Sequence, residues 1–326
     1  MVSTELASQA TPSPVPAAPD STRRRTRQHG RRRETGVRRV GVWFVGAKPN
    51  DPGLNWFQEQ LRQAQAVDGR VRAELRLLFS PNPDTLPPQF REERLDGVIL
   101  QGTEPGPLAL ARLRQVPTVW FMTRRSPAFP ADYVEPNNEE NGELAADYLA
   151  SLGHRAVAVV TVNPEYSAIE QRTRAFLTRA QARGLKARAI LGRATPGISY
   201  LQIAPHHAEH DQLVRRLLEQ RDPPTGLYLP SDHFCGSFFR ALREAGRAPG
   251  RDFDAVIGNY NPLIYHHLDH SPAVIDINLP SLVRQVIEHL LWRIDHLDTP
   301  GRVGITVSPR LVRPPEAASV APGAVA

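Results

Sequence analysis

Apolar residues along this 326-residue chain follow two alternating rhythms. Short, nearly continuous runs such as VGVWFV, GVIL, TVWF and AVAVVT read as strands buried on both faces. Between them, apolar positions recur every three or four residues, the period of an amphipathic helix. The pattern predicts strands at 40–45, 71–79, 97–100, 118–121, 156–161, 187–191, 226–229, 255–257 and 303–307. Helices are predicted at 56–66, 108–114, 141–152, 167–183, 209–219, 233–245 and 280–294. Strands and helices in this alternation make parallel sheet covered on both faces. So many units overfill one sheet, and two α/β lobes are expected.

Composition changes this picture mainly at the ends. Residues 1–22 are rich in Ala, Pro, Ser and Thr without an aromatic, and residues 314–326 are again Ala- and Pro-rich; both are expected to be disordered. Residues 23–39 form an arginine arm. Nine arginines fall within residues 1–39 against Glu5, Asp20 and Glu34, which accounts for the whole net charge of +6. The remainder, 40–313 and the tail, is electrically balanced. One cysteine, Cys235, excludes an intrachain disulfide framework and fits a reducing cytoplasm. The N terminus lacks the basic and apolar regions of a secretory signal, and no apolar run reaches the roughly 18 residues of a membrane span. A cytoplasmic protein without membrane attachment is expected.

The most informative stretch begins at Asp132: DYVEPNNEENGELAADYLASLGHRAVAVV. It reads as a loop, then a helix capped near Asn137-Asn138 with Leu144, Ala145, Tyr148, Leu149 and Leu152 at helical spacing. Gly153 stops that helix ahead of a buried strand. This order resembles the effector-sensing domain of the LacI/GalR family of transcriptional regulators. Four further segments match the family in register: LNWFQEQLRQAQ, DGVIL followed by VPTV, SAIEQRTRAFLTRAQARGL, and PTGLYLPSDHFCGSFFRALREAGRAPGRDFDAVIGNYNP. The resemblance implies a two-lobed, type I periplasmic-binding-protein-like α/β fold with parallel sheets flanked by helices, a homodimer, and DNA as the final partner. It also implies three crossings between lobes, near 153–154, 276–278 and 301. Lobe 1 would then hold 40–153 plus 278–300, and lobe 2 would hold 154–276 plus 302–313.

Ligands of open α/β sheets bind off the carboxyl ends of the strands, where helix N-termini point. Two such edges face to face would enclose a cleft. Trp56 and Phe57 match the family's aromatic pair, which packs on the apolar side of a sugar or planar base. The alternative is that both are core residues at a helix start. Arg172 takes the position of the family's ligand-binding arginine, with Ala175 where the family has Gly. Its guanidinium fork suits paired hydroxyls or a carboxylate, and the alternative is an exposed helix arginine. Ser231 and Asp232 match the family's cleft pair and also carry the chemistry of a helix cap. Asn259 and Tyr260 follow a strand where the family commonly has a sugar-binding acid; Tyr260 removes that carboxylate but leaves hydrogen-bonding groups. Asn137 replaces an Asp of the family, and Asn137 and Asn138 read as loop and cap residues. Arg124 and Arg125, after the strand at 118–121, read as solvated surface, the alternative being that they enter the cleft mouth.

No cysteine or carboxylate completes a metal set around His206, His207 and His210, or around His266, His267 and His270, so no metal is expected. Cys235, read as mid-helix, is expected to be a buried small hydrophobe. Walker, G-x-G-x-x-G, G-x-S-x-G and H-E-x-x-H motifs are all missing, which argues against an enzyme and against a cofactor. Family members carry a helix-turn-helix ahead of the sensor, and the 39 residues before the first strand show no such pattern. Either the DNA reader is missing from this chain, or Arg23, Arg24, Arg25, Arg27, Arg31, Arg32 and Arg33 contact nucleic-acid phosphates without reading sequence; the alternative for the arm is a solvated basic tail. The expectation is a LacI-type regulator that senses a sugar-like metabolite between its lobes. A solute-binding protein of a transporter is the other reading, and the missing secretory signal speaks against it.

Overall fold

The computed structural model describes residues 37–51, 54–67, 73–122, 127, 129–193 and 207–314. The arm arginines at 23–33, Arg124, Arg125, His206 and both expected tails (bar residue 314) lie outside these residues. The chain opens with β1 (Arg38–Val45), α1 (Asn55–Val67), β2 (Ala73–Ser80), α2 (Gln89–Glu92), β3 (Gly97–Gly102), α3 (Pro107–Leu113), β4 (Thr118–Phe121) and β5 (Asp132–Pro136). It continues with α4 (Asn138–Ser151), β6 (Ala156–Thr161), α5 (Ser167–Ala182), β7 (Lys186–Leu191), α6 (His207–Leu218), β8 (Gly226–Leu229), α7 (Cys235–Glu244), β9 (Asp254–Gly258), α8 (Pro262–Tyr265) and β10 (Ala273–Asp276). Last come α9 (Leu279–Asp295), β11 (Gly304–Val307) and β12 (Arg310–Val312).

These strands form two six-stranded sheets. The first runs β11-β5-β4-β3-β1-β2 with every pair parallel. The second runs β12-β10-β9-β8-β6-β7, parallel except between β10 and β12. Both sheets therefore follow the same walk and reverse direction once, between β1 and β3 in the first and between β6 and β8 in the second. A crevice opens at the carboxyl end of a sheet at such a reversal.

Both faces of each sheet are covered, which is why the strands read as continuous apolar runs. Val42, Phe44, Ile99, Val119 and Phe121 pack under α1 and α9, while Trp43, Val45, Leu100 and Trp120 pack on the opposite face with α3. In the second sheet Val160, Leu227 and Leu229 meet α6 and α7, and Val157, Val159 and Tyr228 meet α4 and α5.

Two of the expected crossings lie elsewhere. Ala145, Ala146 and Leu149 of α4 are buried against the second sheet, so the chain leaves lobe 1 at Pro136-Asn137 and not at 153–154. β11 joins the first sheet beside β5, and only β12 reaches the second, so the last crossing is at residues 308–309 and not at 301. The middle one is at Ile277, which packs in lobe 1 directly after β10. The segment 132–136, expected as a loop, is a strand: DYVEP is short and alternates buried with half-buried residues, and its pairing with β4 and β11 makes it β. Among the described residues no helix is long and apolar enough to cross a membrane.

Candidate functional site

Arg172 leaves the second turn of α5 and is only 2% exposed. Its Nε donates to Asn138 Oδ1 at 2.8 Å, and its Nη1 donates to the Pro230 carbonyl at 2.7 Å and to Asn259 Oδ1 at 2.8 Å. One guanidinium thus ties α5 to the start of α4 and to the chain just past β8 and β9, at the carboxyl edge of the second sheet. Among the described residues Nη2 has no hydrogen-bond partner. Two glycines allow the backbones to come this close. A Cβ on Gly142 of α4 would run into the Arg172 carbonyl oxygen and sit 2.8 Å from the Phe176 nitrogen; one on Gly258 would lie 2.6 Å from the Pro230 oxygen.

Asn259 sits at φ 67°, in the left-handed region that Asn tolerates better than most residues. While Oδ1 accepts from Arg172, its amide nitrogen reaches Ser231 Oγ at 3.5 Å and bonds the Asp232 carboxyl. Burial pushes the Asp232 pKa up to about 6, against the opposing pull of its own and Asn261's backbone N–H groups, the Asn259 amide and the Arg172 charge. Ser231 Oγ lies 2.7 Å from His233 Nδ1, and burial, helped by neighbouring His210, lowers His233 to about 4. α7 starts at Cys235, so Ser231 and Asp232 occupy the turn before it and do not cap it by side chain. Cys235 is at the helix start and not mid-helix; it is fully buried, and its thiol donates to the Asp232 carbonyl at 2.8 Å.

Two other expected residues, Phe57 and Tyr260, pack inside the cores. Phe57 stacks on Phe121 at 5.2 Å and meets Phe44 edge-on at 5.4 Å, so it is a core residue of lobe 1, with half-buried Trp56 packed on the same cluster. Tyr260 lies edge-on to Tyr265 at 5.4 Å inside the core of lobe 2. The structure therefore brings Arg172, Ser231, Asp232 and Asn259 together, with Asn138 as an added member, and puts Phe57 and Tyr260 into the two cores.

Gln101 was not among the expected residues. It stands near the carboxyl end of β3, beside the reversal point of the first sheet, and is buried; among the described residues neither its Oε1 nor Thr103 Oγ1 has a partner. An unsatisfied buried acceptor costs about 1–3 kcal/mol, so a water or a ligand donor belongs there. The available signal was one polar residue ending the otherwise apolar strand GVILQG. Among the described residues no group of three His, Cys, Asp or Glu could hold a metal ion.

A family model described as a periplasmic binding protein-like domain matches residues 146–313, just over half of the chain. The chain belongs to that family, and its fold is that of the LacI-type effector-binding domain. A LacI transcriptional regulator from a Rhodococcus species superposes with a TM-score of 0.66 at 21% identity, over 85% of this chain and 97% of that one. A LacI family regulator from Enterococcus faecium with bound ribose gives 0.67 at 18%, over 85% and 97%. The transcriptional regulator CelR in complex with cellobiose gives 0.66 at 17%, over 85% and 84%. No curated protein matches the sequence.

Proposed function

We propose that this chain is the effector-sensing part of a LacI-type transcriptional regulator that takes a small polar metabolite, a sugar or sugar derivative, between its lobes. The observation that carries the reading is the buried Arg172–Asn259–Asp232 network at one carboxyl edge, together with the unsatisfied Gln101 acceptor at the equivalent edge of the other sheet. A hydroxyl-rich ligand can donate to Gln101 and Asp232, accept from Arg172 Nη2, and lay apolar C–H groups on Trp56. Ribose in the Enterococcus faecium regulator and cellobiose in CelR fit this class of ligand. Tighter binding to the closed state would shift the lobe equilibrium, which is the signal a regulator needs. In this reading the protein works in the cytoplasm as a homodimer, signals to DNA, and is not an enzyme.

A thermal-shift screen with sugars, sugar acids and nucleobases tests the effector. One class should raise the melting temperature, and the rise should vanish in Gln101→Ala and Asp232→Ala; silence across all three classes rejects the reading. The arm is a separate question. The seven arginines at 23–33 would supply salt-dependent, sequence-blind phosphate affinity, while Arg38 and Arg39 belong to β1 and pair with Asp295 and Glu74. Deleting residues 1–36 should abolish retention on DNA and spare the thermal shift, and retention that survives the deletion excludes the arm as the contact.

A further inference from the structure

We infer that Tyr166 and Met122 form a latch that biases the two lobes toward closure before any effector arrives. Tyr166 belongs to lobe 2, in the turn between β6 and α5. Its backbone is held there twice, by donation to the Asn163 carbonyl at 3.3 Å and by acceptance from Glu170 in the first turn of α5 at 2.9 Å. Its hydroxyl donates to the Met122 carbonyl at 3.2 Å. Met122 belongs to lobe 1, directly after β4, and its N–H still donates to Val134 of β5 at 3.0 Å. Both ends of the bond are therefore carried by well-anchored backbone, one in each lobe. The bond exists only at this relative position of the lobes.

The register explains why that carbonyl is available. β4 and β5 pair in parallel with Phe121 opposite Val134. Continued one residue further, the Met122 carbonyl would look for the N–H of residue 136, and residue 136 is a proline, which has none. The ladder cannot continue. Met122 instead turns into the left-handed region at φ 52°, a conformation that a side chain of its size rarely adopts. Strain of this kind persists where surrounding contacts hold it, and such residues cluster at clamps and switches. Here the bend hands the unmatched carbonyl to the other lobe.

The proposal rests on the lobes moving as a sensor's would, and its test needs no effector. Leu108→Cys on α3 and Leu263→Cys on α8 put one label on each lobe at exposed sites, while Cys235 is buried and stays silent. Pulsed electron spin resonance on the doubly labelled protein, diluted with unlabelled chain, reads the lobe separation directly. Tyr166→Phe keeps the ring and removes only the hydroxyl. It should lengthen the distances, with the closed-to-open ratio falling about two- to tenfold, the net worth of one neutral hydrogen bond. Pro136→Ala, which offers Met122 an in-register N–H, should shift the distribution the same way. Unchanged distances in both variants overturn the latch. A failed effector screen would leave this outcome as it stands, because the measurement is made on the unliganded protein.

Discussion

At the carboxyl edge of the second sheet, Arg172, Ser231, Asp232 and Asn259 are all at most 9% exposed and are bonded to one another or to backbone. At the same edge of the first sheet, Phe57 stacks on Phe121 and meets Phe44 edge-on, and Gln101 near the end of β3 has an acceptor without a partner among the described residues. The strand order is shared, so the difference lies in the residues that end the strands. Lobe 2 has its polar groups ordered in advance, so a ligand bound there in the proposed reading would mostly exchange partners. Lobe 1 leaves an oxygen unsatisfied among the described residues, and a ligand bound there in the proposed reading would add a bond. Preordering lowers the entropic cost of binding, and the added bond rewards closure.

The sharpest way to break the comparison is Arg172→Ala. It leaves Asn138, Asn259 and the Pro230 carbonyl without their donor and Asp232 without its nearby positive charge. The expected loss is about 3–5 kcal/mol, because three buried acceptors lose a charged donor at about 1–3 kcal/mol each. Urea unfolding measures it. A loss under about 1 kcal/mol would mean that the lobe 2 network is not preordered.

A smaller effect separates two buried aspartates. Asp132 lies at the far end of lobe 1, where His289 Nε2 is 2.7 Å away, Arg293 donates twice at 2.7 and 2.9 Å, and the Val303 N–H donates at 2.9 Å. Burial alone would raise its pKa. The bonds from Arg293, Val303 and His289 and the Arg293 charge outweigh burial and hold the carboxyl below its ordinary range. Its stabilisation is therefore present above the unfolded value of about 3.9 and is lost as pH falls through the lower folded value. Asp232 has the opposite sign. With a folded pKa of about 6, the native state holds the proton more tightly than the unfolded chain, so this group's contribution rises as pH falls from about 6 to about 4. The change is at most about 3 kcal/mol. His233 and His270, both lowered by burial to about 4, pull the other way over this range, so the Asp232 slope is read as the difference between native and Asp232→Asn unfolding midpoints from pH 4 to 7. An identical slope in the variant would place the titrating group elsewhere.

Much of the fold was legible because strands covered on both faces leave uninterrupted apolar runs, and β1, β3, β4, β6 and β8 all do so. The short strands β5 and β12 carry no such run and become strands through their neighbours. Asp232 stood out as a polar residue just past a strand, and Arg172 by its spacing to Ala175-Phe176 in a matched helical register. Phe57 and Tyr260 were not resolved, since an aromatic at a strand or helix end has the same local pattern whether it faces a ligand or a core.

By itself the sequence determined the alternation of strands and helices, the confinement of excess charge to the arm, and the placing of polar residues behind strands. These are local properties: hydrophobic period, composition and spacing act within a few residues. Only the tertiary structure decided that α4 packs on the second sheet, that Gln101 is buried without a partner, and that Tyr166 meets Met122. An amphipathic face records that something will cover it, and which surface does so depends on residues far away in the chain.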